Sequence, residues 1–258
     1  MRVAFCLHGN VGCLYTNKSS FEWSKDVDYR IGHSHFKKHI FDTNPQVDVF
    51  IHSWSCQYEK GIKELYTPKK SIFEKQKEFD AKGNNKAGTT KKKVILSRWY
   101  SAAESNRLKK EYEEENNFKY DYVVSIRFDL LFLKDLNFSS LIDTSLLYVP
   151  FNDNYMSHNP RIVDYFFFSN SENMDLFIGG LYDFITPKSH SGRIDSHTDS
   201  MVFAKECNLE VAMLEDYKEP ETIIIARAYY DDCEYKGDNF PGVDKLKKLT
   251  RYPRGSRF

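Results

Sequence analysis

Two apolar runs set one helix-length apart constrain this chain most. Val3 to Leu7 is continuously apolar and stops at His8-Gly9-Asn10, and Val47-Asp48-Val49-Phe50-Ile51-His52 is a second strand-like run. A strand without strict alternation is buried on both faces, as in a parallel sheet covered by helices. Between the two runs, Asp26 to Phe41 places Ile31, His35 and Ile40 near one helical face and Lys37 and Lys38 outside it. Strand, helix, strand predicts a βαβ unit with a right-handed crossover. A leading strand of this kind belongs near the centre of its sheet.

The rest of the chain extends that pattern. Gln57 to Tyr66 reads as a short helix and Ser71 to Phe73 as a strand. Asp80 to Lys93 carries Gly83, Asn84, Asn85, Gly88 and a Lys91-Lys92-Lys93 run, which predicts a solvated, mobile loop. Trp99 to Asn117 reads as a helix with Ser101, Ser105, Leu108 and Tyr112 on one face and Lys109, Lys110, Glu113 and Glu114 towards solvent. Tyr120 to Phe132 is a strongly apolar strand. Leu146 to Val149, Tyr165 to Phe168, Leu209 to Leu214 and Thr222 to Ala226 are further strands, and Ser171 to Phe184 and Asp199 to Cys207 are helices. The expected fold is α/β, a mostly parallel sheet flanked by helices, with one domain over residues 1–240 and a basic tail over 241–258.

Composition narrows the function. Lys plus Arg and Asp plus Glu both number 37. A balanced charge argues against tracking a nucleic-acid backbone, which calls for a basic excess. The five cysteines are odd in number and none forms C-x-x-C, so neither a disulfide framework nor a zinc knuckle is expected. No run reaches membrane-helix length and the N-terminal apolar stretch is too short for a signal h-region, which predicts a cytoplasmic chain with reduced thiols.

The residues that could carry chemistry fall into four groups. Arg127 and Asp129 interrupt the apolar run Val123 to Phe132, and period-2 geometry puts them on one face. Burying charge there is costly without a partner or a ligand. Asp129 could offer oxygen to a divalent metal and Arg127 could meet phosphate; alternatively the two form a structural ion pair. His8, Gly9 and Asn10 end the first strand, where small residues let backbone N–H groups approach a nucleotide. Arg30 is a phosphate candidate, whereas His35 and His39, at i and i+4, lack a matching third ligand. Asp164, entering the aromatic strand, and Asp199 and His197 further on are candidate general bases, although Asp199 could simply cap its helix.

Several blocks occur in an order that resembles a known group. They are Arg2 to Gly9, Val47 to Trp54, Leu108 to Asp121, Arg127-Phe128-Asp129, Asp164 to Ser169 and Asn173-Met174-Asp175. Together they resemble bacterial and large-virus GT-A-like glycosyltransferases, over residues 2 to about 185. The resemblance implies a nucleotide-sugar donor bound over the C-terminal ends of the strands, with His8, Gly9 and Asn10 in the nucleotide pocket. It implies an Asp-x-Asp holding Mn²⁺ or Mg²⁺, matched here by Arg127-Phe128-Asp129 with the first acid missing. It also implies a glycan or other hydroxyl acceptor, and a base after residue 150. Asp164 ranks first for that base, because aromatic neighbours would raise its pKa, then Asp199, then His197. The missing acid motivates a second reading, a nucleotide- or glycan-binding module of the same fold without catalysis.

Overall fold

Residue by residue, β1 (Val3–Gly9) sends its side chains alternately into two different cores. Val3, Phe5 and Leu7 join one apolar cluster and Ala4 and Cys6 the other. That alternation is possible only for a strand covered on both faces. The computed structural model describes residues 1–17, 22–141, 143–151, 161–218 and 222–226.

In chain order there follow β2 (Cys13–Asn17), β3 (Glu22–Asp26), α1 (Tyr29–Phe36), β4 (Val47–Ser53), α2 (Glu59–Tyr66), β5 (Lys70–Phe73) and α3 (Lys86–Asn116). Next come β6 (Tyr122–Arg127), β7 (Leu130–Phe132), β8 (Leu147–Phe151), β9 (Phe166–Ser169), α4 (Ser171–Ile185), α5 (Lys188–Ser191), α6 (Ser196–Glu206), β10 (Val211–Lys218) and β11 (Ile223–Ile225). The main sheet has the order β10-β8-β9-β6-β1-β4-β5. β5, β4, β1 and β6 are parallel neighbours; β9 runs against both β6 and β8, and β10 is parallel to β8. The result is a seven-stranded, mostly parallel sheet with helices on both faces, the fold class expected. β1 lies between β4 and β6, inside the sheet as expected for the leading strand.

One face is covered by α1 and α2, whose Phe36, Ile62 and Tyr66 pack with Phe5 and Leu7. The other is covered by α3, α4 and α6, through Trp99, Phe177 and Met201 among others. Each such large apolar side chain contributes about 1.5–3 kcal/mol on full burial. Two small antiparallel pairs, β2 with β3 and β7 with β11, lie outside the main sheet.

The structure corrects four expectations. The run Tyr120 to Phe132 is not one strand: a turn at Phe128-Asp129 ends β6, and β7 leaves to pair with β11. The break coincides with a close approach by α1, where a β-carbon on Gly32 would lie 2.1 Å from the Phe128 carbonyl oxygen. The helix expected from Asp26 begins at Tyr29, because the Asp28 side chain caps it on Arg30 N–H. The loop expected over Asp80 to Lys93 is largely helix, since Asn85 accepts from Gly88 N–H and starts α3 there. Lys109 and Glu113 do not face solvent. Both are buried, with Lys109 Nζ 2.6 Å from Asp175 and 3.2 Å from Glu113, tying α3 to α4. The strand expected at Thr222 to Ala226 is β11, and the tail over 241–258 lies outside the described residues. Among the described residues no helix is long and apolar enough to cross a membrane.

Candidate functional site

Strand register assembles the site. Across β4, β1 and β6, His52 stands beside His8 and His8 beside Arg127. All three are at the C-terminal ends of parallel strands. Period-2 alternation places them on the same face as Ala4 and Cys6, the face that α3 covers. Beyond the row the chain turns through Gly9 and Gly12, whose φ angles of +89° and +100° favour glycine.

A hydrogen-bonded brace fixes that turn. Ser101 Oγ, from α3, accepts from Gly9 N–H at 2.7 Å and lies 2.7 Å from His52 Nδ1. His52 Nε2–H faces Glu74 Oε1 at 3.1 Å, and Ser53 Oγ–H donates to the Gly9 carbonyl at 2.8 Å. Carboxylate, imidazole and hydroxyl stand in the sequence of a hydrolytic triad. Ser101 is fully buried, however, and already accepts a backbone N–H, so the group acts as a support rather than a nucleophile. Burial lowers the His52 pKa, and Glu74 pulls the other way.

Above this row lies a cleft of about 320 Å³. His8, Gly9, Asn10 and Arg127 line it from the sheet, Trp54 and Phe79 form an apolar side, and Lys93 and Arg98 face them from α3. Asn10 is steadied by Ser55 Oγ–H, 3.4 Å from its Oδ1. His8 is 2% exposed, and no protein group hydrogen-bonds its Nδ1. Burial, then the charges of Arg98 and Arg127, hold its pKa well below the usual imidazole value, so it is neutral.

Both arginines are held by acids. Arg127 Nη2 is 2.5 Å from Asp129 Oδ2, and Asp129 is 0% exposed, packed behind Gly12. Arg98 pairs with Asp164. Asp164 was expected to have a raised pKa. Burial does push it up, but Arg98, then His197 and Arg127, outweigh burial and hold it at about 2. The aromatic strand desolvates the carboxyl, while the neighbouring cations dominate.

The remaining predicted residues divide. His197 lies 3.9 Å from Asp164 through Nε2, and its Nδ1 is 3.0 Å from the Ile162 carbonyl oxygen. That carbonyl can only accept, so Nδ1 carries the proton and Nε2 is the basic nitrogen. Asp199 accepts the Asp195 N–H at 2.7 Å and faces Lys188 at 3.5 Å. The N-cap itself is Asp195, and Asp199 reaches back from the first turn to support it. Asp129, Asp164, His197, Asp199 and Arg30 are not among the residues lining the cleft, and Arg30 is exposed and forks onto Asp28 with contacts of 2.5–3.0 Å. His35 and His39 are bound to the Phe132 carbonyl and to Asp135.

The protein groups around Asp129 do not by themselves complete the shell of a divalent ion. Asp129 is engaged by Arg127, and among the described residues no group of three His, Cys, Asp or Glu side chains converges. A hard cation needs several oxygen ligands. The carboxylate expected to hold the metal is paired with Arg127.

Sequence reasoning missed Arg98, Lys93, Trp54 and the Ser101 brace. A signal existed: Thr90, Lys93, Val94, Ser97, Arg98 and Ser101 continue the helical spacing of Ser105 and Leu108 backwards. Assigning the segment before residue 93 to a loop hid that stripe.

No protein-family model matches the chain, and no curated protein does. Among solved structures, the apo form of the glycosyltransferase GlyE of Streptococcus pneumoniae TIGR4 aligns with a TM-score of 0.42 at 12% identity, over 83% of this chain and 45% of that one. A second structure of the same glycosyltransferase gives a TM-score of 0.41 at 12% identity, with the same coverage. The chain thus spans less than half the length of these solved chains.

Proposed function

We propose that this chain is a glycosyltransferase that moves a sugar from a nucleotide-sugar donor to a hydroxyl of a glycan or other acceptor. The observation that carries the reading is the row His52, His8, Arg127 opening into a cleft at the C-terminal ends of parallel strands, with Arg98 opposite. Open α/β sheets bind ligands in that crevice. Guanidinium forks suit a diphosphate, and the Trp54 and Phe79 side suits a flat base or sugar face.

In such a transfer the acceptor oxygen bonds to the anomeric carbon as the bond to the diphosphate oxygen breaks. The nucleoside diphosphate leaves with the bonding pair. Fixed cations favour that step because negative charge grows where they already stand. The acceptor proton goes to a base; Asp164, Asp199 and His197 all lie outside the cleft lining, and of the three His197, next to the Asp164 that holds cleft-lining Arg98, is the one we favour. Its Nε2 is the basic nitrogen beside Asp164, whereas Asp164 holds Arg98 and Asp199 holds a helix start. We place the protein in the cytoplasm, in keeping with the free thiols Cys6, Cys56 and Cys207.

The test is turnover of a panel of UDP-, GDP-, dTDP- and CMP-sugars, paired with thermal shift, since a ligand that binds only the folded state raises the melting point. Release of nucleoside diphosphate, or of CMP from a CMP-sugar, is expected from at least one donor, and His197→Ala should slow it by about 10²-fold or more. Absence of both binding and turnover would sink the proposal. The engagement of Asp164 and Asp199 favours one other reading, a nucleotide- or glycan-binding module without catalysis. Binding without turnover would select it.

A further inference from the structure

Where a paired-acid site would place a first carboxylate, this chain has Arg127, and the acid that remains, Asp129, is spent on holding it. The same device occurs a second time across the cleft, where Arg98 of α3 is held by Asp164. The two guanidinium groups come from different elements, β6 and α3, yet both face the one cleft. Both also act on the same two neighbours, lowering the pKa of His8 and of Asp164. They therefore share one electrostatic site.

We propose that the cleft binds a diphosphate through Arg127 and Arg98 without a divalent cation. This rests on the nucleotide-sugar reading for its biological ligand, but not for its chemistry. A guanidinium presents five N–H donors in a planar fork, so one edge can be fixed by a carboxylate while another meets phosphate oxygens. The buried carboxylates set the direction of each fork in advance, which lowers the ordering cost of binding. Lys93 and Lys77 stand at the cleft edge and add charge, each tied to a nearby glutamate at 3.2 and 3.1 Å. No group of three His, Cys, Asp or Glu side chains converges among the described residues, and the Asp129 carboxylate that a bridging cation would use is already engaged by Arg127.

The experiment is calorimetric titration of the full chain with inorganic pyrophosphate and with UDP, in EDTA and again with Mn²⁺. Pyrophosphate binding in EDTA, within about threefold of its affinity with Mn²⁺, is expected. Arg98→Gln and Arg127→Gln should each weaken it at least about tenfold, the scale of a lost charge-assisted hydrogen bond. Should Arg127→Gln fail to fold, Arg127→Lys keeps the charge and loses the fork, and weaker binding is again expected. Binding that appears only with Mn²⁺, wild-type affinity in both arginine variants, or no pyrophosphate binding in either buffer would each overturn the proposal. The two readings separate cleanly. Sugar transfer that requires Mn²⁺ would keep the transferase and remove the arginine clamp; pyrophosphate binding in EDTA with no transfer from any donor would do the reverse.

Discussion

Gly12 and Asp129 stand back to back: a β-carbon added to Gly12 would lie 2.7 Å from the β-carbon of Asp129 and 3.0 Å from its Oδ2. The bare backbone of one residue thus leaves room for the acid that holds Arg127. Gly12 also has φ +100°, which L side chains rarely adopt. Gly12→Ala should cost about 1–3 kcal/mol from strain and overpacking, and displace Asp129 and Arg127. Urea unfolding and pyrophosphate titration would check this. A variant with wild-type stability and affinity would show that the contact does not matter.

Asp129→Ala tests the ion pair. Asp129 is fully buried and Arg127 mostly so, and removing one partner leaves the other charge unmatched. A loss of about 3–5 kcal/mol is expected, and the double variant Asp129→Ala with Arg127→Met should lose less than Asp129→Ala alone. Additive losses in a double-mutant cycle would mean the two residues are not coupled.

Acid sensitivity follows from Asp164. Its carboxyl is held at about 2 in the folded chain, against an ordinary value of 3.8. A depressed acid contributes stability that is complete above its unfolded pKa and is lost as pH falls through the folded one. The window is therefore about pH 4 down to 2, with a depth of about 2 kcal/mol. Unfolding free energies for the wild type and Asp164→Asn across that range are the measurement. The variant should show a shallower decline there, and identical slopes would count against the assignment.

His35 acts at milder pH. Burial drives its pKa from 6.5 to about 4, although the hydrogen bond to the Phe132 carbonyl pulls upward and His39 and Lys38 push further down. The folded chain holds the imidazole neutral, while the unfolded chain protonates it near 6.5. Stability is complete above pH 6.5 and declines towards pH 4, by about 3 kcal/mol in full. His35→Asn should flatten this part of the pH profile, whatever its own effect on stability at pH 8. A profile as steep as the wild type's would assign the slope to another group.

The two-faced burial of β1 was legible in Val3 to Leu7, and the placement of β4 and β6 beside it followed from their apolar runs. Local composition determined these elements because a strand covered on both sides admits few polar residues. His8, Gly9 and Arg127 were legible as cleft-lining residues for a related reason: each breaks an apolar run at its C-terminal end, where parallel sheets open. What the side chains do there was decided by residues far away in sequence. Asp164 reads as a desolvated acid until Arg98, 66 positions earlier, is placed against it. Lys109 and Glu113 read as a solvated helix face until Asp175 and Ser171 arrive from α4 and bury them. Asp129 is the exception: its pair with Arg127, two residues away, was one of the two readings the sequence allowed, and only the packing of Gly12 behind it came from elsewhere. Sequence fixes which groups are charged and which runs must be buried. The partner that sets a charge's energy comes from a different element, and only the tertiary structure brings it within a few ångströms, where Coulomb terms outweigh desolvation.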